Sequence, residues 1–447
     1  MGVRLVDIDR ETPMLLPVDM REWLPENHLV HFVIDAIKEL NLSGFKVNNR
    51  GSGSEQYPPE MMLALLIYSY ITGRFGSRTI EAAIYTDVAL RYICGNKVHP
   101  DHSTICRFRT ENKEVIEEAF EKILLLARQM GILKKVGGVS VDGSKVKANA
   151  SKHKAVSYKR ATEIIEKVRL EVAELVKMAE ETDGKGLKEG LTIPAEIKRR
   201  EDRQAALQTA CAAMEEMYKE AEAEGTKKGK KLDDYQHNFT DVDSRIMKAG
   251  NGKHFEQSYN AQAAVDTEGS MLILGGYVTQ HANDKQELKD VVDSVPQEVR
   301  EVTNVSADSG FYSEEAVAAV EQVNAEGKKE GPEVYCAVEK GKHGRTVDDL
   351  KEKPLEAALE PSEKMSAKEK MAMKLKSEEG KSIYKKRKET VEPVFGIIKS
   401  VMGFRQFLLR GIEKVNIEWE LIKVAYNFKR LHSLLKGRSL SECLANG

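Results

Sequence analysis

Three acidic residues stand where the chain is expected to hold carboxylates close together. Asp142 ends the short buried-strand signal Val136–Val141, Asp308 ends a second short predicted strand that begins at Val302, and Glu392 follows in a later stretch of helical periodicity. Three converging carboxylates repel one another unless cations neutralise them. Their hard oxygen ligands suit Mg²⁺ or Mn²⁺. Two such ions can activate a water or a 3′-hydroxyl and stabilise the leaving oxygen of a phosphodiester.

Basic residues lie close to these acids and could hold the backbone of a nucleic acid. Lys145 and Lys147 follow Asp142, and a cationic cluster that includes Arg387 and Lys388 precedes Glu392. Contacts between such side chains and phosphates are independent of sequence and sensitive to salt. Taken alone, the stretch 384–399 is more typical of an amphipathic surface helix with a solvated charged face, because charge runs are common. Together with the two aspartates, the stretch 384–399 is expected to form the third side of a metal site.

The elements that must position these acids form an α/β pattern. Without two charged insertions, the chain contains three consecutive strands, then helix, strand, helix, strand and helix. This order predicts a mixed sheet with an antiparallel edge and a parallel continuation, flanked by helices. The strand ends at Asp142 and Asp308 can then lie side by side. Glu392, on the helix after the last strand, is the natural third carboxylate.

Residues 1–130 are predicted to be helical. The segment Thr104–Arg109 follows a helix-capping signal and carries Arg107 and Arg109. Short helices with tight turns, the last one basic, are compatible with a helix-turn-helix that reads a DNA groove. A plain helical bundle explains the pattern equally well.

Composition shifts divide the chain into an N-terminal all-helical domain, a sheet domain, two insertions and a C-terminal helix. The long, highly charged insertion predicts a coiled-coil-like pair of antiparallel helices. The predicted boundaries are 1–130 for the helical DNA-binding domain, 131–155 and 233–410 for the catalytic domain, 156–232 for the helical hairpin insertion, 340–383 for a charged helical insertion within the catalytic domain, and 411–447 for the C-terminal helix.

Overall composition favours an intracellular globular protein. The 447 residues carry a formal net charge of −2, so any DNA-binding surface must come from local clusters. Five scattered cysteines suit a reducing cytosol. The N-terminus has no signal peptide pattern, and no run reaches the roughly 18 apolar residues that span a bilayer. We therefore expect a cytoplasmic protein with no membrane association.

Three further residues have competing interpretations. Asp266 follows a strand and could bind a metal, but its position before a hairpin turn favours turn chemistry. Asp284 precedes a helix and is expected to cap it, with a possible supporting role near the metals. Trp419 is expected to pack within the last helix rather than stack on a base.

Several motifs, taken together and in this order, resemble the DDE transposases of bacterial insertion sequences. Within that class the sequence is most similar to the IS1182 family, in the wider IS4/IS5-like group. The resemblance runs over most of the chain and is weakest in the two insertions. The motifs are PDHSTICRFR at 100–109, DGSKVKANASKHK at 142–154, DVDSRIMK at 241–248, SYNAQAAVD at 258–266, ADSGFYS at 307–313 and YKKRKETVEPVFGIIK at 384–399.

This resemblance implies an RNase H-like catalytic domain that cuts transposon ends and transfers them into target DNA with two divalent ions. Asp142, Asp308 and Glu392 match the catalytic and metal-binding acids. Tyr384, Arg387 and Lys399 match the other members of a tyrosine–arginine–glutamate–lysine signature that contacts DNA. The implied partners are double-stranded DNA and a second copy of the chain, as a homodimer on bacterial nucleoid DNA.

One departure from the family pattern concerns the arginine of this signature. Three residues usually separate it from the glutamate, whereas four separate Arg387 from Glu392, and Lys388 stands at the usual spacing. Pro393 further requires Glu392 to lie in a first helical turn or at a kink. Two other functions remain open: a non-catalytic DNA-binding protein derived from a transposase, and an RNase H-like metal nuclease without strand transfer.

Overall fold

The computed structural model describes residues 19–40, 56–95, 99–181, 191–223, 225, 231–249, 254–322, 330–338 and 365–445. Within them, the N-terminal region is helical, as predicted. Helix α2 is apolar on all sides and almost entirely buried, which places it at the centre of this region. The helices are α1 (Leu29–Glu39), α2 (Pro59–Ile71), α3 (Ser77–Thr86), α4 (Val88–Cys94), α5 (His102–Glu111) and α6 (Lys113–Gln129).

The strands of the chain form a main sheet and a separate two-stranded ribbon. In chain order they are β1 (Val136–Lys147), β2 (Ala155–Ser157), β3 (Gln236–Asn238), β4 (Arg245–Ala249), β5 (His254–Asp266), β6 (Ile273–Gly275), β7 (Val278–Thr279), β8 (Glu301–Ala307) and β9 (Glu333–Cys336). The main sheet has the order β4-β5-β1-β8-β9, and β6 and β7 also pair with β5. Strands β2 and β3 pair only with each other.

The mixed character of the sheet agrees with the predicted fold class. Strand β5 is antiparallel to β1 and β4, whereas β8 is parallel to both β1 and β9. The predicted hairpin after Asp266 is present, with β6 and β7 returning along β5. Strand β4 and the β2–β3 ribbon were not predicted, because their short, polar sequences lack the apolar alternation of a strand.

The predicted helical hairpin has its own small core. Its helices are α7 (Tyr158–Glu181) and α8 (Ile193–Ala223), which pack along each other. Ala161, Leu207 and Met214 are buried between them, and Tyr235 closes the base beside the β2–β3 ribbon. This cluster is separate from the main core, which supports the interpretation of the segment as an insertion.

One hydrophobic core joins the N-terminal helices to the sheet. The helices that follow later in the chain are α9 (Leu288–Asp293), α10 (Glu314–Glu321), α11 (Ala367–Lys376), α12 (Glu378–Glu389), α13 (Val391–Gly396), a π-helical turn (Ile397–Val401), α14 (Ile412–Leu435) and α15 (Leu440–Ala445). Helix α14 contacts α2 and α6 on one side and β6 and β7 on the other. Trp419 on α14 is fully buried, as predicted, and donates a hydrogen bond to the Gln262 carbonyl over 3.1 Å.

The predicted insertion at 340–383 lies partly outside the described residues. Its described end consists of α11 and the start of α12, which confirms helical structure there. Ser366 caps α11 in a reciprocal arrangement with Glu369. Among the described helices, none combines the length and apolarity required to cross a lipid bilayer.

Candidate active site

Strand β1 carries the first acid and sets the geometry around it. Its parallel pairing with β8 ends at Ser140 and Ser306, whose hydroxyls lie 2.7 Å apart. Its antiparallel pairing with β5 continues to Lys147. Asp142 therefore lies inside β1 and not at its end, which corrects the predicted strand boundary. The apolar run stops at Asp142, but β5 supplies backbone partners beyond it, so the strand persists without apolar side chains.

The three predicted acids converge on a single guanidinium group, that of Arg387. Its Nη1 donates to Glu392 Oε1 over 2.7 Å, and its Nη2 donates to Asp142 Oδ1 over 3.2 Å. The same Nη2 lies 3.8 Å from Asp308 Oδ2. We call Asp142, Asp308 and Glu392 the carboxylate cluster. Its members come from β1, the turn after β8 and α13, so only the tertiary fold brings them together.

A break in the helix explains how Arg387 reaches Glu392 despite the unusual spacing. Helix α12 ends at Glu389, and Thr390 leaves the helical conformation with φ −120° and ψ −83°. Helix α13 then begins at Val391, so Glu392 lies in its first turn, as Pro393 requires. The helix break at Thr390 thus accommodates the extra residue between Arg387 and Glu392.

Burial and the opposite charge of the ion-pair partner shift the pKa values of this cluster in opposite directions. Desolvation raises the pKa of Asp142 to about 6, although the nearby Arg387 guanidinium opposes the change and Asp308 adds to it. Burial disfavours the charged form of Arg387, but Asp142 and Asp308 keep the pKa of Arg387 above its ordinary value. The exposed fraction of the side chain is 9% for Arg387, 20% for Asp142, 40% for Asp308 and 46% for Glu392. The cluster therefore opens to solvent at its Asp308 and Glu392 side.

Asp284 adds a fourth carboxylate at the edge of the cluster. Its Oδ1 accepts hydrogen bonds from Asn260 Nδ2 over 2.6 Å and Gln262 Nε2 over 2.7 Å, and Lys145 Nζ lies 3.7 Å away. A side chain at Gly143 would place its Cβ 2.4 Å from this oxygen, so the close approach requires glycine there. Asp284 also contributes to the raised pKa of Asp142, after larger effects from burial and from other charges.

The two competing acids thus have different outcomes. The capping role predicted for Asp284 is wrong, because among the described residues its carboxylate accepts from β5 side chains and not from the start of α9. The turn chemistry predicted for Asp266 is confirmed. Its carboxylate accepts from the backbone and hydroxyl of Ser270 and forms a buried ion pair with Arg300.

Two predicted DNA contacts, Lys399 and Tyr384, are partly buried within the protein. Lys399 Nζ donates to Ser144 Oγ over 2.6 Å and to the Lys145 carbonyl over 2.7 Å, and burial lowers its pKa. Tyr384 is partly buried beside the cluster, and this burial raises its pKa. These residues line or support the cluster and do not extend from it.

The remaining predicted DNA contacts divide by exposure. Lys147, Lys388 and Arg107 are exposed at the surface. Arg109 is buried, and its Nη1 donates to the Tyr70 hydroxyl over 2.8 Å and to the Phe75 carbonyl over 2.9 Å. The predicted contact of Arg109 with DNA is therefore corrected to a role in the helical core. Helical periodicity places Arg109 and Ile105, four residues apart, on the same buried face of α5.

The donor set suits a hard divalent cation, but the described arrangement is not a closed metal cage. Carboxylate oxygens are the ligands that Mg²⁺ and Mn²⁺ prefer. Among the residues that the structure describes, no group of three or more His, Cys, Asp or Glu side chains is arranged to hold a metal ion. The space between the three carboxylates holds the Arg387 guanidinium instead.

Comparison with known protein families finds matches in two segments of the chain. The family model of the transposase DDE domain matches residues 350–432, which include Arg387, Glu392 and Lys399. The model described as a transposase domain (DUF772) matches residues 18–111, in the N-terminal helices. Both matched models describe transposase domains, of a kind characteristic of IS1182-family transposases, in agreement with the resemblance of the motifs. No curated protein and no solved structure matches the chain.

The family matches include only one of the three acids of the carboxylate cluster. Glu392 lies inside the matched DDE domain, whereas Asp142 and Asp308 lie outside the matched range. The central position of Arg387 was not predicted from the sequence, whereas a position of Asp284 near the site was one of the two interpretations offered for that residue. A sequence signal for the contacts of Asp284 was present, since Asn260 and Gln262 are polar residues in the buried part of β5 and had to find partners.

Proposed function

We propose that this chain is an active insertion-sequence transposase that binds terminal inverted repeats, cleaves DNA at them and transfers the cut strand to target DNA. The observation that carries the proposal is the convergence of Asp142, Asp308 and Glu392 around Arg387. Three acids from distant parts of a chain do not meet at one partly desolvated point without a cost. A catalytic requirement for carboxylates explains why that cost is retained.

The proposal includes an RNase H-like catalytic domain, supported by a mixed sheet with β5 antiparallel and β8 parallel to the central β1. It also includes double-stranded DNA as the substrate and a homodimer on DNA, because transposition must hold two ends together. Two Mg²⁺ or Mn²⁺ ions, when bound, would activate the attacking hydroxyl and stabilise the leaving oxygen.

Asp142, Asp308 and Glu392 are the residues that would hold these ions. Arg387 offsets part of the negative charge of the three acids and is positioned to offer its charge to a phosphate. Asp284 keeps Lys145 beside the cluster through an ion pair of 3.7 Å. Lys399 supports the β1 backbone by donating to the Lys145 carbonyl.

The test is cleavage of a labelled duplex carrying the inverted repeats that flank the coding region. Asp142→Asn, Asp308→Asn and Glu392→Gln should each lower Mg²⁺-dependent cleavage by roughly a thousandfold, comparable to the loss of a main electrostatic catalytic group, and retain DNA binding. Glu389→Gln is the matched control, because Glu389 is exposed at the end of α12 and outside the cluster.

Each alternative function has a distinct outcome in this assay. Cleavage without joining of labelled ends to a second duplex would indicate a metal nuclease. Binding of the repeats with no cleavage by the unmodified protein would indicate a non-catalytic DNA-binding protein. A Mg²⁺-induced rise in melting temperature that survives in Asp142→Asn would count against that residue as a metal ligand.

A further inference from the structure

A basic groove runs along the surface beyond the carboxylate cluster. It has a volume of about 510 Å³ and lies between the end of β1, the turn Ser151–Lys154, the start of β5 and the loop Gln406–Arg410. Its cationic lining residues are Lys147, Lys152, Lys154 and Arg410, and Glu256 is the one acid among the described residues that line it. We call this surface the basic groove.

Hydrogen bonds from backbone and side-chain donors hold the walls of the basic groove in place. Phe407 N donates to the Lys147 carbonyl over 2.8 Å, and Ala148 N donates to the Gln257 carbonyl over 2.8 Å. On the other side, Arg410 Nε donates to the Asn149 carbonyl over 3.0 Å. The loop 406–410 thus lies against the end of β1 as a fixed wall. A ligand would meet a preformed surface and would not have to order a loop.

The cations of this groove are available to a ligand. Within the described part of the chain, no side-chain hydrogen bond or ion pair engages the exposed amines of Lys152 and Lys154. Lys147 is 3.8 Å from Glu256, a distance that gives only a weak surface pair. Arg410 bonds to a carbonyl, which leaves its positive charge uncompensated. The groove therefore presents an excess of positive charge on a protein whose net charge is negative.

The position of the groove relates it to the same DNA that would be cut. Lys147 and Asp142 lie on one strand, five residues apart, which corresponds to about 17 Å at ~3.3 Å per residue. A duplex carries one phosphate per ~3.4 Å on each strand, so this separation spans about five phosphates. Because Asp142 and Lys147 project from opposite faces of β1, a duplex with its cleaved bond at the carboxylate cluster would have to pass around the end of this strand to reach the groove.

We propose that the basic groove binds the sugar-phosphate backbone of duplex DNA beside the cleavage point, independently of sequence. The proposal rests on the transposase function proposed above. It assigns the contacts to Lys152, Lys154 and Arg410 together with Lys147, and it makes this groove a DNA surface distinct from the helical N-terminal domain.

The test compares two double variants that remove the same charge. Lys152→Ala/Lys154→Ala removes two exposed amines from the groove. Lys167→Ala/Lys198→Ala removes two exposed amines from the helical hairpin, away from the groove. Binding of a fluorescent duplex is measured by anisotropy over a range of salt concentrations, with one duplex carrying the flanking repeats and one of scrambled sequence.

The groove variant should weaken binding of both duplexes by roughly tenfold and reduce the slope of log affinity against log salt by about 1.8, as expected for two phosphate contacts. The hairpin variant should match the unmodified protein. An unchanged slope in the groove variant, an equal loss in both double variants, or a loss confined to the repeat duplex would each overturn the proposal. If the unmodified protein binds and cuts DNA but the groove variant behaves identically, only the groove assignment fails. An unmodified protein that binds neither duplex contradicts the transposase function as well.

Discussion

The carboxylate cluster and the basic groove both include residues of β1, but they differ in whether their cations have partners within the protein. In the cluster, Arg387 contacts all three acids, and the neighbouring Lys145 and Lys399 also have partners within the protein. In the groove, Lys152 and Lys154 project into solvent. Charges that balance one another stabilise a local geometry, whereas charges without partners remain available for a ligand. The difference indicates which cations shape the site and which would meet DNA.

Exposure follows the same division. Arg387 has 9% of its side chain exposed, because it lies beneath the acids that it joins. Lys152 and Lys154 of the groove extend from a surface turn. A sequence interpretation that treats every lysine or arginine near an acid as a DNA contact cannot separate these two groups. The separation yields three predictions about stability and binding, which extend the cleavage and groove tests.

The largest expected effect is on folding stability when the central cation is removed. Arg387→Ala leaves the partly buried carboxylate of Asp142 beside Asp308 without a compensating charge. We expect a loss of roughly 2–3 kcal/mol in the free energy of unfolding at pH 7, less than for a fully buried pair because two of the acids are half-exposed. Chemical denaturation measures this change.

The neighbouring residue supplies the control. Lys388→Ala removes an exposed charge and should change stability by no more than about 0.5 kcal/mol. Adding Asp142→Asn to Arg387→Ala should recover part of the loss, because the buried charge is then gone. Equal losses in the free energy of unfolding for the Arg387 and Lys388 variants would contradict the inference that the contacts of Arg387 with the acids stabilise the fold.

A second prediction concerns the pH dependence caused by Asp142. Burial raises its pKa from 3.8 in the reference state to about 6, so the folded chain binds this proton more tightly than the unfolded chain. The free energy of unfolding should therefore fall as pH rises from about 4 to about 6. Asp142→Asn does not titrate, and we expect it to be more stable than the unmodified protein by roughly 1–2 kcal/mol at pH 7.

Denaturation of both proteins at pH 4 and pH 7 measures this difference. The gain should be confined to pH 7, since Asp142 is largely protonated in the folded chain at pH 4. A gain of equal size at both values would assign the effect to packing. A variant that is less stable at pH 7 would show that the attraction of Arg387 outweighs desolvation.

The smallest expected effect is on the salt dependence of DNA binding after Lys399→Ala. The sequence motif suggests a phosphate contact, but the amine donates to Ser144 and to the Lys145 carbonyl. We therefore expect the slope of log affinity against log salt to change by less than about 0.3. Anisotropy titrations measure it beside the groove variant. A reduction of about 0.9 would instead indicate one direct phosphate contact.

Residue types and their order were sufficient for much of the fold. Apolar runs predicted β1, β8 and β9, and the change from consecutive strands to alternation predicted the mixed sheet. The charged, weakly apolar segment after Ser157 predicted the helical hairpin. Strand β4 could not be predicted in this way, because it is held by pairing with β5 and not by apolar side chains of its own.

The candidate site was predictable in its members but not in its arrangement. Asp142, Asp308 and Glu392 could be selected because each is an acid beside apolar residues, and residue type is a local property. The position of Arg387 among them depends on the break at Thr390 and on the end of pairing between β1 and β8, which are set by contacts between distant segments. The side chains that share a face of α5 likewise decide that Arg109 is buried while Arg107 is exposed.

Local chemistry therefore determined which residues could act here, because periodicity, charge and spacing are written in the chain itself. The similarity to transposase domains was also accessible from the motifs of the chain. Only the tertiary structure decided which charges neutralise one another and which remain free. A side chain's partners depend on what the fold brings within a few ångströms, and Asp142 and Arg387, which are 245 positions apart in the chain, carry no local signal of that contact.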